Sequence, residues 1–281
     1  MRIPVILLTV MLVFLFTRYV VSRKLMYFPV PVDTGRLARV IERMPEVESV
    51  QIPVGKKTVL HGWLIKKDMT GLPTVFYFGG NAEEVSVNLQ DFGDKLTANA
   101  VLVNYRGYGQ SKGSPTEARL KADALAIFDY MSDRWGLDPA RCAAWGRSLG
   151  SSMAAFLALE RGLGRLILTC PFDSIQAVAG AYYPSWLVNL VLEDRHRTID
   201  FSPRIICPTL VLVAPTDEVI PFRYARNLYD SLTCPKQLVP ILGAGHNTIS
   251  SFDADYESVN RFLSQGPETS AVWQLTAPPA S

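Results

Sequence analysis

From Thr74 onward one pattern recurs: a short apolar run, a turn, then a segment with helical spacing. The runs are "TVFYFGG", "AVLVNYRGYG", "RCAAWG", "RLILTC", "TLVLVAP" and "KQLVPIL". Runs this short and this continuously apolar fit strands buried on both faces. The helical segments between them supply the crossovers that parallel strands require. The pattern predicts an α/β fold with a mostly parallel central sheet flanked by helices. Ahead of it, "SVQIPV" and "TVLHGWLIKK" are separated by "GKK" and predict a hairpin at one end of that sheet. Helices are expected near Thr34 to Met44, over "EEVSVNLQDFGDKL", over "PTEARLKADALAIFDYMSDRW" with Pro115 in its first turn, over "SLGSSMAAFLALER", near Phe222 to Leu232, and near Ile249 to Leu263.

In such a sheet, reactive groups gather beyond the carboxyl ends of the strands. The loops to search follow Tyr77, Tyr105, Trp145, Cys170, Val213 and Leu242. After Trp145 the chain reads "GRSLG", a G-x-S-x-G pattern between a strand and a helix, which is the setting of a nucleophile elbow. A tight turn there lifts the Ser148 hydroxyl above the sheet edge. Gly146 and Gly150 leave no side chain where strand and helix approach, and the helix N-terminus favours developing negative charge. The bland alternative is a helix-capping serine.

A serine nucleophile needs a base, and the chain has only three histidines. His61 precedes the serine and lies inside a predicted strand. His196 sits in the charged stretch "EDRHRTID" and reads as solvated. His246, in "LGAGHNTIS", follows both the serine and a well-placed acid. That acid is Asp217 in "LVLVAPTDEVIP", with neighbouring Glu218 and Asp173 of "TCPFDSI" as alternatives. Its task is to accept the Nδ1–H of the histidine and fix the tautomer. Acyl transfer also needs an oxyanion hole. One N–H is expected from Leu149, after the nucleophile. The other is expected from Asn81, in "YFGGNAEE", where Gly79 and Gly80 permit a sharp turn.

Composition narrows the rest. A chain of 281 residues, 48% hydrophobic and 19% charged, suits one large α/β domain or two small ones and is long enough for a substantial core. A net charge of +2 without basic–aromatic runs points away from nucleic acid. No phosphate-binding G-x-x-x-x-G-K-[ST] loop and no H-E-x-x-H ligand pair occurs, so neither a cofactor nor a metal is implied. Cys142, Cys170, Cys207 and Cys234 are widely spaced and read as buried apolar residues. Ile3 to Phe16 carries no charge, "TRYVV" extends the stretch weakly to Val21 if Arg18 snorkels, and no good signal-peptidase site follows. The stretch predicts an uncleaved single-pass membrane anchor, on an unspecified side. The expected organisation is an anchor over 1–24, a linker and short helix over 25–48, the main domain over 49–264 with a cap insert at about 171–206, and a mobile tail over 265–281.

"NYRGYGQSKGSP", "WGRSLGSS", "CPFDSI", "PTDEVIP" and "GAGHNTI" together resemble the α/β-hydrolase superfamily over about Val50 to Leu263. Within it they resemble the membrane-anchored serine hydrolases of the Bem46-like group, which includes protein depalmitoylases. Bacterial members often carry an apolar segment followed by a motif like "RKLMYFP". The resemblance implies the α/β-hydrolase fold and a triad of Ser148, Asp217 and His246. One departure is visible: many members have His-Gly-Asn where this chain has Gly79-Gly80-Asn81, which puts the internal hydrogen bonds of that loop in question. Arg106, in "NYRGYG", reads as a structural donor.

The expected activity is cleavage of an ester or thioester in a small-molecule or acylated substrate, through an acyl-enzyme. Tyr183 and Trp186, in the aromatic insert "AGAYYPSWLVNLVL", are expected at the entrance for an apolar acyl group. The rival readings are a serine peptidase or aminopeptidase, with Glu83, Glu84 or Glu193 holding a free amine, and an inactive binding scaffold.

Overall fold

A computed structural model of the chain describes residues 11, 17–44, 46–55 and 57–267. Its frame is an eight-stranded sheet ordered β1-β2-β4-β3-β5-β6-β7-β8. β1 (Val47–Val54) and β2 (Thr58–Ile65) form the predicted hairpin, and β2 also runs antiparallel to β4 (Asn99–Val103). From there β3 (Thr74–Phe78), β5 (Cys142–Arg147), β6 (Arg165–Thr169), β7 (Thr209–Val213) and β8 (Lys236–Pro240) are parallel to their neighbours. Every residue of β3, β4 and β7 is buried, as continuous apolar runs require.

Helices cover both faces. α1 (Thr34–Arg43), α2 (Leu89–Lys95) and α8 (Asp253–Gln265) pack with Val75, Tyr77 and Trp145 through Val40, Phe92, Tyr256 and Phe262. On the other face, α3 (Glu117–Trp135), α4 (Gly150–Arg161) and α7 (Phe222–Ser231) meet Phe76, Phe78 and Val211 through Phe128, Met153 and Leu228. Each large side chain buried this way contributes about 1.5–3 kcal/mol. Between β6 and β7 the chain leaves the sheet and forms two short helices, α5 (Ile175–Tyr182) and α6 (Ser185–Val191).

The elements depart from the sequence expectation at several ends. Glu83 and Glu84 stay outside the helix expected over them, because their carboxylates are tied into the loop. A 3₁₀ turn begins at Val85, and α2 begins only at Leu89. Pro115 lies before the cap of α3, where the Thr116 hydroxyl accepts from the Arg119 N–H. His196, expected to be solvated, is fully buried, and burial pushes its pKa down to about 4. The four cysteines are buried and unpaired.

The membrane anchor is also corrected. Among the described residues no helix is long and apolar enough to cross a membrane. The described part of the expected span continues as a helix over 17–26, whose Ser22 and Met26 are buried against the domain. Residues 1–10 and 12–16, and the tail from 268 onward, lie outside the described residues.

Candidate active site

β5 delivers Ser148 to the sheet edge. Its backbone adopts φ = 51°, a left-handed conformation that only a tight turn imposes on a serine. The flanking glycines are needed for space. A Cβ on Gly146 would stand 2.3 Å from the Gly150 carbonyl oxygen, and one on Gly150 would stand 2.0 Å from that of Phe78. Strand, elbow and helix therefore touch backbone to backbone. Among the described residues with side chains, Ala82, Ser148, Cys170 and His196 have positive φ, and the first three follow β3, β5 and β6 on this one edge.

The loops after β7 and β8 complete a hydrogen-bonded line. His246 Nε2 lies 3.0 Å from Ser148 Oγ, and His246 Nδ1 lies 2.8 Å from Asp217 Oδ2. The other carboxylate oxygen, Oδ1, accepts the N–H groups of Val219 at 2.9 Å and Ile220 at 2.6 Å. The imidazole and carboxylate are nearly buried. Burial alone pushes the Asp217 carboxyl up, but the His246 hydrogen bond and charge and the two N–H donors outweigh it and hold the pKa below its ordinary value. Asp217 is thus an anion aimed at the imidazole. The capping alternative for Ser148 does not hold: Leu149 takes the N-cap position of α4, no side chain caps the helix, and the Ser148 hydroxyl lies on His246.

The other acids are elsewhere. Asp173 accepts from the Ser174 N–H and the Asn227 side chain. Glu218 accepts the backbone N–H of His246 at 3.1 Å. Cys170 stands beside Asp217. Burial first, then the Asp217 charge, push its thiol well above the usual range, so it stays protonated. Its sulfur and the ligand atoms of Asp217 and His246 lie within 4.8 Å of one another, close enough for a cation. The His–Asp hydrogen bond and the protonated thiol already account for that closeness.

In the loop after β3, Glu83 packs against Gly79: a Cβ on Gly79 would stand 2.9 Å from Glu83 Oε1. The buried carboxylate accepts from Tyr77 OH at 2.8 Å, Asn88 Nδ2 at 2.7 Å and Gly80 N–H at 2.8 Å. It also pairs with Arg147 Nη1 at 2.7 Å, while Arg147 Nη2 donates to the His246 carbonyl at 3.1 Å. One ion pair therefore joins the loop after β3, the elbow and the histidine loop. No local sequence pattern announced this network, although Arg147 lies inside the motif. The backbone N–H groups of Leu149 and Asn81 donate to no protein acceptor among the described residues. A cavity of ≈ 410 Å³, lined in part by Asn81, Ala82, Arg147 and Asn247, opens beside Asn81.

The remaining sequence candidates are placed as follows. His61 lies within β2, edge-on to Trp63. Arg106 holds Asp123 through two hydrogen bonds, a structural role. Tyr183 and Trp186 face solvent, 61% and 67% exposed. The Tyr182 hydroxyl donates to the Val219 carbonyl at 3.2 Å, and α5 packs on Ile220, so α5 adjoins the Asp217 loop.

No protein-family model matches the chain. An uncharacterized protein of Mycobacterium tuberculosis is 30% identical over 253 residues, 87% of this chain and 88% of that protein. The alpha/beta hydrolase domain-containing protein WAV2 of Arabidopsis thaliana is 31% identical over 236 residues, 74% of each chain. Among solved structures, a Pyrococcus furiosus esterase superposes with a TM-score of 0.64 at 18% identity, covering 85% of this chain and 97% of that one. The fold matches at the level of structure and the Arabidopsis relative matches over most of its length, so the chain belongs to the α/β-hydrolase family.

Proposed function

We propose that this chain is a serine hydrolase that cleaves a carboxylic ester or thioester through an acyl-enzyme. The observation that carries the reading is the hydrogen-bonded line Ser148 Oγ–His246 Nε2, 3.0 Å, and His246 Nδ1–Asp217 Oδ2, 2.8 Å. In the first step His246 takes the Ser148 proton as Oγ attacks the substrate carbonyl. The resulting alkoxide is held by the N–H groups of Leu149 and Asn81, helped by the N-terminus of α4. His246 then gives its proton to the leaving alcohol or thiol. Water enters, His246 deprotonates it, and a second oxyanion collapses to release the acid and restore Ser148. Asp217 stays ionised throughout and stabilises the imidazolium.

The similarity to an esterase of Pyrococcus furiosus and to a metagenomic carboxylesterase, EstE1, agrees with ester cleavage. A cavity of ≈ 410 Å³ beside Asn81 suits a small polar group on the substrate. Segment 171–206 serves as a cap, with exposed Tyr183 and Trp186 receiving an apolar acyl chain. The exopeptidase reading loses its amine-binding carboxylates: Glu83 pairs with Arg147, Glu84 is bonded to Asn104 and Ser86, and Glu193 lies 3.8 Å from Arg18. An inactive scaffold would have no use for a strained serine held on a histidine.

The test is labelling by a fluorophosphonate probe together with turnover of p-nitrophenyl acyl esters. Wild-type protein should show both and Ser148→Ala neither. Full turnover by Ser148→Ala would overturn the reading.

A further inference from the structure

Asn81 commits its side chain to work that a backbone oxyanion donor does not require. Its Oδ1 accepts from the Tyr108 hydroxyl at 2.8 Å and the Phe28 N–H at 3.1 Å, and its Nδ2 donates to the Met26 carbonyl at 2.6 Å. The Phe28 N–H is shared with the Tyr108 oxygen at 3.0 Å. A residue of the loop after β3 is thus clamped by a chain segment more than fifty positions earlier and by a tyrosine from the loop after β4.

The clamp is itself held firmly. On one side, the Tyr27 hydroxyl donates to Asp194 at 2.7 Å and meets His196 Nε2 at 3.2 Å, and the Ser22 hydroxyl accepts the Glu193 N–H at 3.0 Å. On the other, the Val30 carbonyl accepts the Gly109 N–H at 2.8 Å. Tyr108 is completely buried, edge-on to Tyr105, whose hydroxyl donates to the Gly79 carbonyl at 2.7 Å. Burial also raises the Tyr108 pKa to about 12, so it remains a donor. The loop needs such support: Ala82, next to Asn81, sits at φ = 56°, a conformation that costs energy and persists only when its surroundings fix it.

We propose that residues 26–28 and Tyr108 form a strut that aims the Asn81 backbone N–H at the developing oxyanion, acting through the Asn81 side chain. These are positioning residues. The proposal rests on the reading of Asn81 as an oxyanion donor. Its physical basis is preorganisation: a donor already aimed at the oxyanion costs no reorganisation when charge develops. Removing such a donor outright costs about 10²–10³ in kcat, and loosening its aim costs a part of that. The segment that leads into the domain is then a working part of the site.

The experiment compares wild type, Asn81→Ala, Tyr108→Phe and Ser148→Ala on p-nitrophenyl butyrate. An alkyl trifluoromethyl ketone, which adds to the serine to give a stable oxyanion, probes the hole directly, and thermal unfolding is followed in parallel. Asn81→Ala keeps the backbone N–H and loses the strut. It should lower kcat about 10- to 100-fold, and Tyr108→Phe about 3- to 10-fold, with KM within about twofold. Inhibition by the ketone should weaken in proportion to kcat/KM, which a merely structural role would not produce. The strut is overturned if both variants turn over at the wild-type rate while Ser148→Ala is inactive, or if kcat falls and ketone affinity does not. Activity in Ser148→Ala would instead bring down the serine-hydrolase reading, and the strut with it. If Asn81→Ala fails to fold, Tyr108→Phe, which removes a single oxygen, decides the matter.

Discussion

The sheet edge around Ser148 and the helices α5 and α6 beside it are built in opposite ways. At the edge, the polar side chains of Asp217, His246, Glu83 and Arg147 are hydrogen-bonded across different loops, and strained backbone recurs. In α5 no residue is buried and in α6 only Val188 is, while Tyr182, Tyr183, Trp186 and Leu190 face solvent. Reacting atoms must hold a fixed geometry, and many mutually dependent bonds provide it. A surface that receives a variable apolar group needs area more than fixed geometry, and short helices with few buried side chains open at low cost. On the proposed reading, the edge would set what reaction occurs and the helices would influence which acyl group is taken.

Ser148→Ala should have the largest effect. It should reduce kcat by about 10⁶, the scale of losing a serine nucleophile, with a melting temperature close to wild type. A loss of only about tenfold would mean that the chemistry is not at this edge. Next comes Asp217→Asn, which presents the wrong group to His246 Nδ1 and should cost about 10⁴ in kcat. Asp173→Asn should cost less than about threefold, because Asp173 bonds Ser174 and Asn227 rather than the imidazole. The reverse ranking would move the acid to Asp173.

A third prediction turns on a carboxylate without such wiring. Asp255, in the first turn of α8, is fully buried and neither oxygen has a hydrogen-bond partner among the described residues. Burial raises its pKa to about 7, opposed only weakly by the Arg147 charge. The sign follows from proton counts. Between about pH 4 and pH 7 the folded chain holds this proton and the unfolded chain has released it, so this group makes stability fall as pH rises. Above pH 7 its cost is constant, on the order of a few kcal/mol. Asp255→Asn should therefore raise the melting temperature most at pH 8 and progressively less as pH drops toward 4. No benefit, or a loss of stability, at pH 8 would show that the carboxylate is paired after all. Asp217, held low, behaves oppositely: its contribution is present above the ordinary carboxylate pKa and is lost as pH falls below it.

The smallest effect belongs to the helices. Each methylene of an acyl chain buried against them is worth about 0.8 kcal/mol, or roughly fourfold in kcat/KM. Trp186→Ala should flatten that dependence across a ladder of acyl esters while leaving acetate turnover and melting temperature unchanged, since its ring is 67% exposed. An equal loss at every chain length would make Trp186 part of the rigid edge and erase the distinction.

Much of the site was legible because it is written in local backbone chemistry. Continuous apolar runs announced the buried strands, and glycines at 146 and 150 announced an elbow that tolerates no Cβ. The order of serine, acid and histidine left His246 as the base, and the structure brings it to 3.0 Å from Ser148 Oγ. Asp217 was the preferred acid, with Asp173 as an alternative because both follow strands. Only the side-chain packing that puts Asp217 at 2.8 Å from His246 distinguishes them.

The sequence by itself determined the fold class, the strand order along the chain and the turn that exposes Ser148, because periodicity and glycine act over a few neighbouring residues. The tertiary structure alone decided that Glu83 pairs with Arg147, that Asn81 is clamped by Met26 and Phe28, and that His196 is buried on Tyr27. It also corrected the reading of the apolar N-terminus as a membrane anchor: the described helix over 17–26 buries Ser22 and Met26 against the domain. These contacts join ordinary polar and apolar residues across long stretches of chain. The pairing arises from how the sheet brings its loops to one edge, and no local pattern of residue types encodes it.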